Sequence, residues 1–542
     1  MSPTRHFAQV DGRRVHYWRW GEGPVVLAVH GSPQSSRAVA NQAAAFAARG
    51  LCVIAPDTPG NGLSDPLPGE APSTEDYAKA LIAFADELGL GRVGLYGFHT
   101  GASSTCGFAA LAPGRVSAVA FDGLPCWTNE ERAELLANYL TPFAPTWDGS
   151  HMAWLWARLE EQTVFFPWHQ PTPAARMDYD VAPVAALHAN AIDFLDAGDA
   201  YRAPYASAFS FRPEDWLARI TAPMFLGVAG GDPLRVHLTR GPLAPLPSSV
   251  FETQAELIEA AGVHLAAHPG DVAPPPKPAG VAPDGLSRGF ASAGGKALAW
   301  QGRLAGDGRP LVLLHEAGGS SETFAPALAT IGDRRPVAAF DLPGHGASGD
   351  DWPTAPQTVE ALADVIAAAC QALGWSEFDV AGLHLGGQIA AELARTGRAK
   401  SAATLGVARY SPEEAQRLIA EGAPSLTAEW DGAHLVRAIR IARWERLFHP
   451  WFQRDRAHAR PQGDLDPAAV HARAVALLKA NERWASALRA QASYAFTAPA
   501  GLKVFAVADD ALSTPAAIAV LGLPATALPA DPASWAEVLA DL

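Results

Sequence analysis

Two pentapeptides of the form Gly-x-His-x-Gly stand at residues 97–101 (GFHTG) and 382–386 (GLHLG). Each follows a short apolar run of strand character and precedes an Ala-rich stretch. A chain that turns abruptly from strand into helix needs glycine on both sides of the turn, because a Cβ there would crowd the backbone. The central residue of such a turn is held in a strained conformation with its side chain thrust into open space. In both places that residue is an imidazole, His99 or His384. A neutral imidazole near pH 7 can act as a general base, or as a nucleophile through an acyl-imidazole, without a second base to activate it. Backbone N–H groups at the start of the new helix face the same space and favour developing negative charge. Thr100 supplies one such N–H, and Ser32, in His30-Gly31-Ser32, is the natural second oxyanion donor.

An imidazole that gains a proton is oriented and compensated by an acid. The best acids are Asp232, in Gly230-Gly231-Asp232-Pro233, and Asp510 in the second half of the chain. Asp122, closing the run VSAVAFD, is an alternative in the first half only, with Gly406 near that place in the second. His264 lies 32 residues beyond Asp232 and could serve as a late imidazole. The simpler reading makes AELIEAAGVHL a final helix, because the comparable ASWAEVLADL carries no histidine. Further candidates for the pocket are His151, in a repeated Trp-Asp-Gly-x-His, and His188, on an Ala/Leu-rich helix. The aromatic residues Trp154, Phe166 and Trp168 join them. Asp148 of the repeated motif equally suits a helix N-cap, and Asp57 a loop-fixing role. His99, His151 and His188 share no local spacing of metal-ligand type, so no metal is expected. Neither a Gly-x-Gly-x-x-Gly after a first strand nor a phosphate-binding loop is present, so no cofactor is expected.

The elements that must position these residues occur twice. VVLAVH (25–30) matches PLVLLH (310–315), LCVIAPDTPGNG (51–62) matches RPVAAFDLPGHG (335–346), and VGLYGFHTG (93–101) matches FDVAGLHLG (378–386). WDGSH at 147–151 matches WDGAH at 430–434, and FFPW at 165–168 matches FHPW at 448–451. The offset holds at 283 to 285 residues, which marks a duplication. Short β-branched runs alternate with Ala/Leu-rich helical runs in each copy, the pattern of a mostly parallel sheet flanked by helices. The expected organisation is a first domain over 1–268, a Pro/Ala/Gly linker over 269–284 and a second domain over 285–542. Trp-rich helical insertions at about 129–215 and 411–496 form caps near the carboxyl ends of the strands, where ligands of such sheets bind.

The His-Gly loop at His30-Gly31-Ser32, the Asp-x-Pro-Gly-x-Gly loop from Asp57, the elbow at His99 and the late acid Asp232 together resemble the α/β-hydrolase superfamily. The resemblance covers nearly the whole chain, twice. It implies an α/β fold of two tandem domains of that type, each a mostly parallel sheet with a helical cap. It also implies a nucleophile serine where this chain has His99 and His384, and an activating late histidine that neither copy supplies by the normal route. The second copy departs further, with His315-Glu316-Ala317 in place of His-Gly-Ser.

Hydrophobic residues make up 49% of the 542 and charged residues 18%, a balance that suits a well-buried enzyme. The net charge of −15 leaves no basic stripe for phosphates, so nucleic acid is not an expected partner. No apolar run is long enough to span a bilayer, and MSPTRHFAQV lacks the core of an export signal. Four scattered cysteines suit reduced thiols, so a cytoplasmic location is expected. The expected partners are a small-molecule substrate and the other repeat of the same chain, with homo-oligomerisation left open. These residues point to an enzyme acting on a small apolar or aromatic carbonyl compound of ester or thioester type. Two alternatives stay open: a cofactor-free lyase or isomerase with the elbow histidine as base, and a non-catalytic binding protein.

Overall fold

The computed structural model describes residues 3–349, 352–353, 357–460 and 465–542; residues 461–464 of the second cap stretch lie outside the described residues. The chain forms two compact units, Met1–Ala144 with Trp154–Gly280, and Pro145–Ala153 with Val281–Leu542. In the first unit the strands are β1 (Thr4–Val10), β2 (Arg13–Trp20), β3 (Val25–Val29), β4 (Cys52–Pro56), β5 (Val93–Phe98), β6 (Val116–Asp122), β7 (Met224–Ala229) and β8 (Ser249–Phe251). They form one sheet in the order β1-β2-β4-β3-β5-β6-β7-β8. β2 runs antiparallel to both of its neighbours, and the other pairs are parallel.

The second unit repeats the plan with β9 (Ser287–Ala293), β10 (Lys296–Arg303), β11 (Leu311–Leu314), β12 (Val337–Phe340), β13 (Asp379–Leu383), β14 (Ala402–Leu405), β15 (Lys503–Val507) and β16 (Ala525–Leu528). Their order is β16-β15-β14-β13-β11-β12-β10-β9, with β10 antiparallel to its neighbours. The tandem α/β-hydrolase-type architecture is therefore present in both halves.

Apolar residues on both faces explain why the central strands are parallel and wholly buried. Along β3, Val26 and Ala28 pack with Val39, Phe46 and Leu265 on one face. Their alternates Leu27 and Val29 pack with Phe84, Cys106 and Phe108 on the other. Between β6 and β7 the chain runs through the helices Asn129–Asn138, Ser150–Val164, Val184–Ala197 and Arg202–Ser210. Between β14 and β15 it runs through Pro412–Glu421, Ala433–Leu447, Pro467–Ala480 and Glu482–Ser493. The start of the Pro-rich connection is docked rather than loose: the Asp271 carbonyl accepts from Val25 N–H at 2.9 Å, and the Asp271 carboxylate accepts from Arg92 N–H at 2.8 Å.

Both elbows owe their shape to their glycines. β5 ends at Phe98, His99 takes φ +48°, and the helix Thr100–Leu111 begins at once. A Cβ on Gly97 would collide with Thr105 and with the Gly101 carbonyl oxygen. On Gly101 it would collide with the carbonyl oxygens of Val29 and His30. β13, His384 at φ +46° and the helix Leu385–Arg395 repeat this, with Gly386 pressed against the Leu314 carbonyl.

Gly101→Ala is expected to destabilise the first unit by roughly 1–3 kcal/mol, the usual cost of forcing an extra carbon into a packed site. Gly114→Ala, where a Cβ meets nothing within 4 Å, should leave thermal unfolding unchanged. Equal melting curves for the two variants would contradict this account of the turn.

Candidate functional site

The strained turn aims His99 at the loop that follows β7. Its Nε2–H donates to Asp232 Oδ2 at 2.6 Å, and the other carboxylate oxygen of Asp232 accepts from Leu234 N–H at 2.7 Å. The Asp232 side chain is only 3% exposed, whereas the His99 side chain is 33% exposed. Commitment of Nε2 to the carboxylate puts the lone pair of the neutral ring on Nδ1, and no hydrogen bond to Nδ1 is made among the described residues. Phe98 stacks on the imidazole at 4.0 Å between centroids. Gly123, at φ +72°, leaves the room the ring occupies, since a Cβ there would come within 2.6 Å of His99 Cδ2.

Burial works against charge on both partners, but their mutual attraction and hydrogen bond outweigh it. His99 is held above its ordinary 6.5 and Asp232 below its ordinary 3.8. Asp122 is a different kind of group. It is wholly buried, takes hydrogen bonds from Tyr96 OH and Gln254 Nε2 at 2.6 Å each, and is pushed up by burial to about 6. It touches His99 through its backbone carbonyl, which accepts His99 N–H at 2.9 Å. Gly406, which the sequence puts near the place of Asp122, stands one residue beyond it. Asp122 pairs with Phe98 across the sheet, and Leu405 holds the matching place beside Leu383, so Gly406 answers to Gly123.

The oxyanion loop is pinned from below. His30 Nδ1–H donates to Gly31 O at 2.8 Å, and its Nε2 accepts Thr58 N–H at 2.9 Å. Asp57 accepts from Ser36 N–H at 2.8 Å, Leu63 N–H at 2.9 Å and His16 Nδ1–H at 2.8 Å, a loop-fixing role. Neither Ser32 N–H nor Thr100 N–H donates a hydrogen bond among the described residues. Next to Asp232 opens a cavity of about 610 Å3, whose walls include Trp127, Phe166, Met177, Asp232 and His237.

The remaining candidates are distributed more widely. Phe166 lines this cavity and stacks on Trp127 at 6.0 Å. Trp154 packs on Phe143, and Trp168 lies 5.2 Å from the Arg158 guanidinium. His188 is half-buried on the helix Val184–Ala197. His151 groups with the second unit, whereas His99 belongs to the first. Its Nδ1 accepts Thr146 N–H at 3.1 Å while Asp148 accepts Ser150 N–H at 3.0 Å. His434 and Asp431 make the same pair of bonds, so Trp-Asp-Gly-x-His is a device for starting a helix. His264 sits on the helix Gln254–Ala267 and bonds the Pro223 carbonyl at 3.3 Å.

Two residues near Asp232 carried no signal in the sequence. Tyr179 lies across Gly231, and burial together with the Asp232 charge drives its phenol far above the ordinary value. His237 accepts Cys126 N–H on Nδ1 at 2.9 Å, and burial and Arg240 push it down to about 4, so it stays neutral at pH 7. Both reach the site through loops, whose paths no periodicity announces.

In the second unit His384 Nε2–H donates to Asp510 Oδ1 at 2.9 Å, and Ser513 Oγ–H donates to Oδ2 at 2.6 Å. Asp510 is held at about 2 because the His384 charge and bond outweigh burial. The surroundings differ sharply. Glu316 lies where the first unit has Gly31, and its charge acts on His384. Arg473 ties Glu316 (3.5 Å) to Glu445 (2.7 Å), with the Ala317 carbonyl at 3.3 Å. His449, another residue the sequence reading passed over, keeps an exposed edge, and partial desolvation together with the charge of His384 holds its pKa below the ordinary value. Among the described residues there is no metal-type cluster, and no helix is long and apolar enough to cross a membrane.

Sheet order, elbow, late acid and cap insertion define a protein of the α/β-hydrolase type. The model of that fold family matches residues 24–147 and 309–491, more than half of the chain, and the chain belongs to this family. Bifunctional epoxide hydrolase 2 of Sus scrofa is 36% identical over 110 residues, 20% of this chain and 20% of that protein. The 2-hydroxy-6-oxononadienedioate/2-hydroxy-6-oxononatrienedioate hydrolase of Burkholderia vietnamiensis is 36% identical over 130 residues, 22% of this chain and 45% of that protein. The chain therefore spans between a fifth and under half the length of these two relatives. Among solved structures, bromoperoxidase from Bacillus anthracis aligns with 48% of this chain and 98% of its own, at 18% identity and a TM-score of 0.39.

The pair titrates in opposite senses at its two ends. A raised His99 contributes stability below pH 6.5 that is lost as pH rises through its folded value. A depressed Asp232 contributes stability above pH 3.8 that is lost as pH falls through its folded value. Asp232→Asn should therefore be most destabilising, relative to the parent, between pH 3.8 and 6.5, and less so on either side. Urea unfolding across pH 3–9 measures this, and a deficit independent of pH would contradict it.

Proposed function

We propose that the first unit is an acyl hydrolase, acting on an ester- or thioester-type carbonyl compound, in which His99 takes the place the family gives to serine. The observation that carries this is the 2.6 Å bond from His99 Nε2–H to Asp232. It fixes the tautomer, strengthens the ring as a base and leaves Nδ1 for the substrate side.

In this reading Nδ1 removes a proton from water as the water oxygen attacks the carbonyl carbon. The carbonyl electron pair moves onto oxygen, where the N–H groups of Ser32 and Thr100 receive it. Asp232 balances the imidazolium formed. Collapse of the tetrahedral intermediate re-forms the carbonyl, breaks the bond to the leaving group and returns the proton from His99 to it. Trp127, Phe166 and Met177 give one part of the cavity wall an apolar surface for a portion of the substrate, beside acidic side chains such as Glu131 and Glu134. The raised pKa of His99 sets a cost: the base is withdrawn at low pH, so activity rises through a value above 6.5.

The second unit is read as catalytically silent toward the same substrates. The Glu316 carboxylate occupies the loop position of Gly31 and its charge reaches His384, so negative charge developing on a carbonyl oxygen there would be opposed by a like charge.

The test is hydrolysis of activated 4-nitrophenyl esters and thioesters in 18O-labelled water. Parent protein should release acid carrying the label. His99→Ala should lower kcat/KM by roughly 100- to 10,000-fold, the range of a lost general base. His384→Ala should leave it within about twofold, inside the spread of a surface-type change. Turnover without label in the product would favour proton abstraction by His99 in a lyase or isomerase. Undiminished hydrolysis by His99→Ala would end the proposal.

A further inference from the structure

The cap of the first unit buries a positive charge that no carboxylate among the described residues neutralises. Arg158, on the helix Ser150–Val164, is only 1% exposed. Its guanidinium lies 5.2 Å from the rings of Trp168 and Phe194, 5.3 Å from Tyr201 and 5.8 Å from Tyr139. Nη1–H donates to Gln162 Oε1 at 2.7 Å, and the Tyr205 hydroxyl also interacts with the guanidinium. Nε and Nη2 are buried with no hydrogen-bond partner, and no carboxylate pairs with the group among the described residues. Aromatic faces offset part of the cost of burying a cation, but they receive an N–H only weakly and supply no counter-charge. Buried guanidinium donors ordinarily meet an anion, and the planar fork matches a carboxylate.

The repeat shows what a self-sufficient version looks like. By the 283-residue offset, Arg158 answers to Ile441, Gln162 to Glu445, Phe194 to Leu477, Tyr205 to Leu488 and Asn190 to Arg473. The second cap therefore has an apolar residue where the first has Arg158, and Arg443, half a turn further along that helix, is only partly buried beside the Trp444 ring at 5.7 Å. Its own Arg473 is neutralised internally by Glu445 and Glu316. In the first cap the position able to supply the counter-charge holds a neutral amide instead.

We propose that Arg158 receives a carboxylate of the first unit's ligand, so that this unit acts on an acyl compound bearing a free acid group. The proposal names the substrate's charge and rests on the acyl-hydrolase reading for its kinetic arm alone. Its binding arm requires no turnover.

The experiment uses full-length parent, Arg158→Met and Gln162→Glu, with glutarate as the probe and uncharged glutaramide as the control. Thermal shift and calorimetry should show glutarate, not glutaramide, binding to the parent. Affinity for glutarate should fall roughly 10-fold or more in either variant, the scale of a lost charge-assisted hydrogen bond. Gln162→Glu places the missing counter-charge inside the protein, so it should also raise the melting temperature of the unliganded chain. It keeps the test open if Arg158→Met fails to fold. In the kinetic arm the parent should prefer 4-nitrophenyl hemiglutarate over 4-nitrophenyl pentanoate, and both variants should lose that preference. Glutarate binding that depends on Arg158, with neither ester hydrolysed, would support the anion site and refute acyl hydrolysis. Hydrolysis of both esters alike, with no glutarate binding, would overturn the anion site and leave acyl hydrolysis standing. Equal glutarate affinity in parent and Gln162→Glu would also overturn it.

Discussion

One backbone constraint governs the rest of each unit: a histidine held at positive φ where a strand turns directly into a helix. Such a conformation costs of order 1–3 kcal/mol for a residue with a Cβ, and it persists only where its surroundings over-determine it. Here they do. His99 N–H is tied to Asp122 O, its carbonyl accepts Ala102 N–H to open the helix, and Gly97 and Gly101 let strand, helix and β3 approach without a clash. The strain is spent on direction, because the turn projects the imidazole toward the loop after β7. A ring in this place is long enough to reach the late acid itself. No second imidazole stands between the elbow ring and the late acid in either unit.

The duplication provides an internal comparison of what the elbow tolerates. His99–Asp232 and His384–Asp510 are alike in backbone angle and pairing. Their differences lie in the charges around them. The first unit presents Gly31, Asn190 and Gln162 at positions where the second has Glu316, Arg473 and Glu445. In the second unit Arg473 is paired with two carboxylates, Glu445 and Glu316, a net negative set that leaves the cation already matched while Glu316 Oε2 has no hydrogen-bond partner. The first unit has replaced that set by neutral groups and carries its cap cation, Arg158, without a carboxylate. Stability and ligand recognition diverge here: groups that pair within the protein have no valence left for a substrate.

Several cap aromatic residues that composition alone would assign to a substrate pocket serve the protein itself. Trp168 caps the Arg158 cage, Trp154 packs on Phe143, and Phe166 alone of the three borders the cavity beside Asp232. Trp-Asp-Gly-x-His, whose repetition suggests a site as readily as a scaffold, starts a helix twice by the same two hydrogen bonds. Repetition of a motif in both copies marks what the fold requires. The residues that differ between copies are the ones that give each unit its chemistry.

The sequence by itself determined the two-fold repeat, the parallel sheet, the elbows and the late acids. Each of these rests on local rules: short continuous apolar runs alternating with helical ones, glycines where a Cβ cannot fit, and an acid soon after a late strand. It could not determine which cap side chains meet one another, because those contacts join residues far apart in the chain across loops with no periodic signature. Only the tertiary structure placed Tyr179 across Gly231, seated neutral His237 in the cavity wall and fixed Gly406 as the counterpart of Gly123. It also left Arg158 buried among aromatic rings without a counter-ion. Charge compensation is a property of three-dimensional neighbours, and an arginine in a helical sequence reads the same whether it faces water or is enclosed.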